Sequence, residues 1–312
     1  MRRWLARAGL GYVLWRWLGP EPRPRFPIRQ EHPLRLAGRS VFVGDRELFV
    51  REAGPEDGPA LVLIHGWATN SLFNWYKIIP LLSDRYRLFA IDQRNSGKSD
   101  LVRARYDIAE VADEIAGAIA ALGLTSVAVV GFSMGGMIAQ ELVRRHPHLV
   151  MRLVLGGTAA CIAPSLDKRI ELWVLLWLGR LWDRISRYEF SWIRQSYLRD
   201  VGAIEPHHER WAWDTYMGRD VNLYYEGGFA AARFDSRDWV RRIELETLVI
   251  IPTKDQLILP ERQYELLDLL PNARLVEIKG GRHESVLTHP EHFAAAIDEF
   301  LSSGRQPTPP QT

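Results

Sequence analysis

The stretch Val127–Met137, VAVVGFSMGGM, is the part of the sequence that best indicates the fold. Its first four residues are small or β-branched and apolar, which is typical of a buried strand. Gly131, Ser133 and Gly135 then form a Gly-x-Ser-x-Gly pattern. A helix-like segment, Ile138–Val143, follows. Between a strand and a helix this pattern predicts a sharp turn that exposes a serine hydroxyl, because glycines leave room for the neighbouring backbone. A glycine-rich turn with an incidental serine is the alternative.

The composition is that of an ordinary globular protein. The chain has 312 residues, of which 47% are hydrophobic and 25% are charged, so it can bury a large core. Its 40 basic and 38 acidic residues give a net charge of +2, and we therefore expect no nucleic-acid partner. The single cysteine, Cys161, excludes an internal disulfide and a cysteine-based zinc site. It fits a reducing compartment, and we expect a cytoplasmic protein.

Residues 1–33 differ from the rest of the chain. The first thirty residues are rich in arginine and tryptophan, and Glu21 is the only acid among them. A basic helix with tryptophans on its apolar face suits the surface of a bilayer, but the uncharged run Ala8–Trp15 is too short to span one. We therefore expect an N-terminal helix, a proline-rich linker, and peripheral membrane association through residues 1–20. The alternatives are a helix packed on the protein's own body and a disordered leader.

Strand-like and helix-like segments alternate over most of the remaining chain. The expected strands are Ser40–Val43, Leu48–Ala53, Leu61–Ile64, Arg87–Ile91, Val127–Val130, Met151–Leu155, Thr247–Ile251 and Arg274–Ile278. Besides the helix after Ser133, the expected helices are Ile108–Leu122, Glu261–Leu269 and Pro290–Leu301. This alternation predicts an α/β fold with a mostly parallel sheet flanked by helices.

The alternation is interrupted between residues 161 and 234. This region has no convincing strand and is rich in Trp, Tyr and Arg, with expected helices at Leu166–Asp183, Ile185–Leu198, His207–Met217 and Leu223–Ala232. A helical block inserted between strands of one sheet predicts a cap. We therefore expect a core of residues 34–160 and 235–303, a helical cap of residues 161–234, and a disordered tail of residues 304–312. Most tryptophans of the cap are expected to pack against the core, and some to line a pocket.

Two residues that follow later strands could activate Ser133. A serine hydroxyl needs a base, usually histidine, and the histidine needs a partner that fixes its tautomer. Asp255 comes just after the strand Thr247–Ile251, and His283 comes just after the last expected strand. Open parallel sheets bind their ligands at the carboxyl ends of the strands, so these side chains are expected to meet there. Each residue alone has an ordinary alternative, namely a turn aspartate and a polar loop histidine.

A further motif, His65-Gly66-Trp67, lies at the end of an early strand. The backbone N–H groups of Trp67 and Met134 are the candidates for binding the negative charge that develops on a substrate carbonyl oxygen. His65 competes with His283 for the role of base. Because no acid follows a matching strand, a structural hydrogen-bonding role is expected for His65.

Together these motifs resemble those of the α/β-hydrolase superfamily, near its esterase, lipase and enol-lactonase-like members. The resemblance runs from about Leu34 to Leu301, and the order serine, acid, histidine is the order of that family. The segment Asp92–Ser99 resembles the family's Asp-x-Arg-Gly-x-Gly-x-Ser, with Asn95 in place of the usual glycine. In such proteins this segment is a tight turn beside the active site, and asparagine tolerates a left-handed backbone better than most residues.

The resemblance implies a serine hydrolase that needs no metal or organic cofactor. Ser133 would form an acyl-enzyme, with His283 as base and Asp255 as its orienting acid. The expected partner is a small-molecule carboxylic ester, and the Trp-rich cap and N-terminal segment favour an apolar acyl or lipid-like one. Alternatives with the same triad are a thioesterase, a lactonase, a C–C hydrolase and an acyltransferase or perhydrolase. A non-enzymatic binder of a small ligand is a further alternative.

A metal site is not expected. The run His207-His208-Glu209 offers ligand types, but adjacent histidines on a helix point about 100° apart.

Overall fold

The computed structural model describes residues 28–303 without a gap, together with Gly11, Tyr12, Trp15, Leu18, Gly19 and residues 24–26. Apart from these positions, the expected N-terminal helix and the tail of residues 304–312 lie outside the described residues. Within the described part, no helix is both long enough and apolar enough to cross a bilayer.

Eight strands form one sheet. They are β1 (Gly38–Val43), β2 (Arg46–Ala53), β3 (Ala60–Ile64), β4 (Arg87–Ile91), β5 (Val127–Phe132), β6 (Val150–Gly156), β7 (Thr247–Pro252) and β8 (Ala273–Ile278). Their order is β1-β2-β4-β3-β5-β6-β7-β8, and only the pairs that involve β1 and β2 are antiparallel. The predicted mostly parallel sheet is confirmed.

The register brings the carboxyl ends of the parallel strands together. Ile64 of β3 lies opposite Gly131 of β5, and Ile250 of β7 lies opposite Gly156 of β6. The loops that follow β3, β5, β7 and β8 therefore meet at one edge of the sheet.

Eleven α-helices are described in residues 28–303. They are α1 (Ser71–Trp75), α2 (Ile79–Leu82), α3 (Ile108–Ala121), α4 (Met134–Arg145), α5 (Leu166–Ile185), α6 (Arg187–Asp200), α7 (Glu209–Met217), α8 (Val221–Arg233), α9 (Pro260–Leu269), α10 (Ser285–Thr288) and α11 (Pro290–Ser302). Helices flank the sheet on both faces, as predicted. The short helices α1, α2 and α10 were not predicted.

Strand β5 separates two apolar cores. All six of its residues are buried, because successive side chains of a strand point to opposite faces and both faces are covered. Val129 packs in a cluster with α3 and α4, whereas Val130 packs in a cluster with α1, α2 and α11. Burial on both sides explains the continuous apolar run before Ser133.

Four helices, α5 to α8, lie between β6 and β7, in the segment for which the sequence predicts a cap. The indole Nε1 of Trp67 donates to the carbonyl of Tyr224 at 2.6 Å, and the two rings stack with their centroids 4.7 Å apart. The hydroxyl of Tyr76 donates to the carbonyl of Ala203 at 2.8 Å. These contacts join α8 and the segment after α6 to the loops around the sheet edge.

The expectation that most cap tryptophans pack against the core is wrong for α5. That helix packs on α8 through the side of the helix that holds Leu172 and Leu176. Trp177 and Trp182 are 59% and 51% exposed, and Trp173, whose ring centroid lies 5.1 Å from that of Phe229 on α8, is still 44% exposed. The spacing of the apolar residues correctly predicts a helix. Apolar side chains lie on most sides of this helix, however, and only one side is buried.

Candidate active site

Ser133 lies at the turn between β5 and α4. Its backbone has φ 55° and ψ −123°, a conformation that residues with a side chain rarely adopt. Its N–H donates to the carbonyl of Gly156 at 2.9 Å, and its carbonyl accepts from Gly136 at 2.9 Å. These bonds hold the strained turn, which exposes the Ser133 hydroxyl at the sheet edge.

The glycines around Ser133 are required by the closeness of neighbouring backbone. A Cβ on Gly135 would lie 2.1 Å from the carbonyl oxygen of Ile64, and a Cβ on Gly131 would lie 2.5 Å from the carbonyl oxygen of Gly135. Both contacts are far inside van der Waals distance. The Gly-x-Ser-x-Gly pattern therefore lets α4 begin directly against the end of β3.

The structure brings together the three side chains that the sequence analysis singled out for catalysis. His283 Nε2 lies 3.0 Å from Ser133 Oγ, and His283 Nδ1 lies 2.8 Å from Asp255 Oδ2. His283 follows β8 and Asp255 follows β7, so the two loops that hold them are neighbours at the sheet edge. This arrangement can take a proton from the serine and orient the histidine that receives it.

Asp255 is held in place by several donors. It is 2% exposed, and its Oδ1 accepts from the backbone N–H groups of Leu257 and Ile258 at 2.9 Å each. Its Oδ2 accepts from Gln263 Nε2 at 3.0 Å as well as facing His283. Gln263 is on α9, and the sequence analysis missed its part in orienting the carboxylate.

The two expected oxyanion donors lie beside Ser133. Trp67 and Met134 line the same cavity as the serine, and within residues 28–303 their backbone N–H groups donate to no protein acceptor. The loop that holds Trp67 is fixed because Gly66 N–H donates to Asn74 Oδ1 at 2.8 Å. Asn74, on α1, also escaped the sequence analysis, because nothing in its sequence context marks it.

His65 lies behind the site rather than in it. It is buried, its Nε2 accepts from the Gln93 N–H at 3.2 Å, and its Nδ1 lies 2.7 Å from the Gly66 carbonyl. These partners imply a proton on Nδ1. Burial, which disfavours the charged ring, lowers the pKa of His65 to about 4. At neutral pH His65 is therefore a neutral residue that links two loops.

The segment Asp92–Ser99 forms a tight turn beside these loops. Asp92 is buried, and its Oδ1 accepts from the Ser71 N–H at 2.8 Å and pairs with Arg51 at 2.7 Å. Asn95 has φ 65°, the left-handed conformation expected from its replacement of a glycine.

A cavity of about 460 Å³ opens beside Ser133 and His283. Most of its lining is apolar and comes from both the core and the cap, including Phe73, Phe132, Met137, Leu172, Leu176, Leu198, Leu257 and Leu287. The polar exceptions, besides Ser133 and His283, are Asn74, Lys168, Glu171, Arg194, Tyr197, Gln256 and Glu284, of which Lys168 and Glu171 pair with each other. A second cleft, of about 660 Å³, is larger but holds none of the catalytic candidates. The smaller cavity is therefore the candidate substrate site.

His207 and His208 do not have the helical geometry that was expected to point them apart. Both lie in a tight 3₁₀ turn, Pro206–His208, and their ring centroids are only 3.9 Å apart. The acid near them is Glu205 rather than Glu209, and one possible ligand atom from each of the three residues lies within 4.8 Å of the others. This group lies on the cap and does not line the cavity beside Ser133.

Comparisons with known proteins agree with the fold. Residues 59–290 match the family model of the alpha/beta hydrolase fold. The pyrrolizixenacetamide deacetylase of Xenorhabdus hominickii is 26% identical over 277 residues, which cover 84% of this chain and 97% of that protein. The pimeloyl-(acyl-carrier protein) methyl ester esterase of Aeromonas hydrophila is 26% identical over 255 residues, covering 78% of this chain and 96% of that protein.

A solved structure shows the same fold. An esterase from Exiguobacterium antarcticum superimposes with a TM-score of 0.74 at 24% identity, covering 85% of this chain and 100% of the other. Since the family model matches most of the chain, the protein belongs to the α/β-hydrolase family of enzymes.

Proposed function

We propose that the protein is a serine hydrolase that cleaves a carboxylic ester through an acyl-enzyme on Ser133. The observation that supports the proposal is the hydrogen-bonded series Asp255, His283, Ser133 beside two N–H groups that have no protein acceptor among residues 28–303. Each part has a chemical purpose in acyl transfer, and none of them needs a cofactor.

In the first half of the reaction, Ser133 Oγ attacks the ester carbonyl carbon while His283 Nε2 takes its proton. The carbonyl oxygen becomes negative and is bound by the N–H groups of Trp67 and Met134. Asp255 stabilises the protonated imidazole and keeps its Nδ1 proton in place. His283 then gives the proton to the leaving alkoxide, which departs as an alcohol.

In the second half, water takes the place of the alcohol. His283 removes a proton from the water as it attacks the acyl-enzyme, and the same two N–H groups bind the negative oxygen again. The tetrahedral intermediate expels Ser133 Oγ, which recovers its proton from His283. The products are a carboxylic acid and the free enzyme.

The apolar lining of the cavity supports an ester with an apolar acyl group. Apolar side chains of the core and the cap line a cavity of about 460 Å³, which has room for a short to medium acyl chain. The proposal predicts that turnover of p-nitrophenyl esters rises from acetate to hexanoate. A steady fall over that series would contradict it.

We also propose a cytoplasmic protein that associates with a membrane surface through residues 1–20. The proposal is supported by the arginines and tryptophans of that segment and by the exposed apolar side chains of α5. The single, buried cysteine agrees with a reducing compartment.

A fluorophosphonate probe tests the catalytic proposal directly. We expect stoichiometric labelling of the wild type and none of Ser133→Ala. In Asp255→Asn the histidine loses the partner that fixes its tautomer, so kcat should fall by roughly 10⁴-fold with the melting temperature little changed. Labelling of Ser133→Ala at the wild-type level, or full activity of Asp255→Asn, would contradict the proposal. Matched esters, thioesters and lactones would then identify the bond that is cleaved.

A further inference from the structure

Arg194 is a charged residue in the apolar candidate substrate cavity. It is on α6, in the cap, and lines the same cavity as Ser133 and His283. In residues 28–303 its guanidinium forms no ion pair and no hydrogen bond, and its Nε is shut off from solvent without a partner. Its guanidinium carbon lies 4.7 Å from the centroid of the Tyr216 ring, and the charge of Glu284 also acts on it.

Two other arginines of the cap differ from Arg194, because their terminal nitrogens donate hydrogen bonds within the protein. Arg219 pairs with the buried Asp183 and also donates to the carbonyl of Tyr216. Arg187 donates to the carbonyl of Arg219 at 2.7 Å. The buried carboxylate of Asp183 thus pairs with Arg219 through Oδ2, whereas Arg194 donates no hydrogen bond to Asp183 within residues 28–303.

Glu284, a carboxylate of the cavity wall, does not form an ion pair with Arg194 in the described chain either. Its Oε2 accepts from the Tyr197 hydroxyl at 3.1 Å. Arg194 is half-buried, and its Nε, but not its terminal nitrogens, is shut off from solvent. Because these terminal nitrogens have no acceptor within residues 28–303, they are free to donate to a ligand in the cavity.

We infer that Arg194 binds an anionic oxygen group, a carboxylate or a phosphate, on the substrate that Ser133 cleaves. The inference rests on the proposed function and narrows its substrate class to esters with an apolar acyl chain and a second, negatively charged end. The planar guanidinium can donate two parallel hydrogen bonds to either group. The apolar walls between Arg194 and Ser133 hold the chain that joins the charge to the ester.

The test compares three p-nitrophenyl esters with six-carbon acyl chains. One is the hexanoate, one carries a terminal carboxylate (the monoester of adipate), and one carries a terminal phosphate. We expect the wild type to prefer one of the charged esters over the hexanoate, and the preferred ester identifies the group. Arg194→Gln should lower kcat/KM for that ester about 10- to 100-fold, mainly through KM, and change kcat/KM for the hexanoate less than about threefold.

Two further variants sharpen the result. Arg194→Lys keeps the charge but not the two parallel donors, so it should recover part of the preference. Arg199→Gln is the matched control, because Arg199 is on the same helix, pairs with Asp200 and Glu209, and does not line the cavity. It should leave all three values of kcat/KM unchanged. Since Arg194→Gln removes a charge without a partner, its melting temperature should be no lower than that of the wild type.

Binding without turnover separates this inference from the proposed function. Adipate should bind to Ser133→Ala in calorimetry and bind at least about tenfold more weakly when Arg194→Gln is added. Wild-type labelling by a fluorophosphonate without any preference for a charged ester would overturn the inference and leave the proposed function intact. Equal losses for charged and neutral esters in Arg194→Gln, or a fall in its melting temperature, would assign Arg194 a structural role instead.

Discussion

Ser133 and Asn95 are the two non-glycine residues of the described chain with a positive φ. Asn95 obtains this conformation at small cost, because its own side chain bonds to the backbone of Val102, accepting at 2.6 Å and donating at 3.3 Å. The side chain of Ser133 does not bond to nearby backbone in this way within the described residues. Its hydroxyl faces His283 instead. The strain at Ser133 is therefore maintained by the surrounding strands, as is common at functional sites.

His65 gives a prediction on the pH dependence of stability. The pKa of His65 is about 4 in the folded protein and 6.5 in the unfolded chain. Below pH 6.5 the unfolded chain therefore binds a proton at His65 more readily than the folded protein does. The stability that the neutral ring contributes is present above pH 6.5 and is lost as the pH falls towards 4. The loss approaches ~3 kcal/mol at and below pH 4.

The variant His65→Gln tests this prediction, because glutamine can hydrogen-bond but does not titrate. Urea unfolding at several pH values between 7 and 4 should show that the wild type loses more stability over this range than the variant does. Carboxylates contribute equally to both proteins, so the difference reports His65. Parallel curves for the two proteins would refute the assignment.

The catalytic candidates could be found from the sequence, whereas the residues that support them could not. Ser133, Asp255 and His283 each follow a strand, and strand ends are visible as the last residues of apolar runs. Gln263 acts on Asp255 from a helix, and Arg194 lies on another. Their importance depends on where those helices pack, and a polar residue on an amphipathic helix gives no local sign of that.

At the scale of elements, length decided which elements were predicted: all eight strands lie within two residues of their predicted bounds, whether buried or exposed. Strands β3, β4, β5 and β7 are buried almost throughout, and their predicted bounds differ from the observed ones by at most two residues. The short helices α1, α2 and α10 have five residues or fewer, too few for a helical period to show. The first strand, β1, is mostly exposed and begins two residues earlier than predicted.

The junction of β3, β5 and α4 gives a prediction about stability. In Gly135→Ala the new Cβ would lie 2.1 Å from the backbone carbonyl of Ile64, which cannot move without displacing β3. We expect a loss of at least ~2 kcal/mol in the free energy of unfolding, measured with urea, together with slower fluorophosphonate labelling.

Gly179→Ala is the matched control for this change. Gly179 is within α5, and a Cβ there would lie 3.1 Å from the hydroxyl of Tyr225, the free end of a side chain. Alanine favours a helix by about 1 kcal/mol over glycine, so this variant should differ from the wild type by ~1 kcal/mol or less and label normally. Similar effects of the two substitutions would show that the junction does not require a glycine at position 135.

At the scale of the whole molecule, the cavity opens on an apolar surface. Every exposed residue of α5 between Glu171 and Arg184 is apolar: Trp173, Val174, Leu175, Trp177, Leu178, Leu181 and Trp182. Leu175, Leu257 and Leu259 both line the cavity and are more than half exposed. Large exposed apolar surfaces of this kind mark sites of interaction. The N-terminal segment enters the fold at the cap, where the Glu31 N–H donates to the carbonyl of His207 at 2.7 Å.

These features predict binding to anionic vesicles. Tryptophans favour the bilayer interface and the N-terminal arginines attract anionic headgroups, so the wild type should sediment with phosphatidylglycerol vesicles at low salt, and less at high salt. Deleting residues 1–23 preserves the contacts of Glu31 and should lower binding. Trp177→Glu places a charge among the exposed apolar side chains of α5 and should lower the partition coefficient by about tenfold or more.

Met151→Glu is the matched control for the vesicle experiment. Met151 is 55% exposed but lies near the amino end of β6, at the sheet edge opposite the cavity. Its replacement adds the same charge and should leave vesicle binding within about twofold of the wild type, while fluorophosphonate labelling of every variant shows that Ser133 remains active. A wild type that stays in the supernatant would refute membrane docking through this face. Equal losses in Met151→Glu and Trp177→Glu would refute it too, because the loss would then follow from net charge rather than from the position of α5.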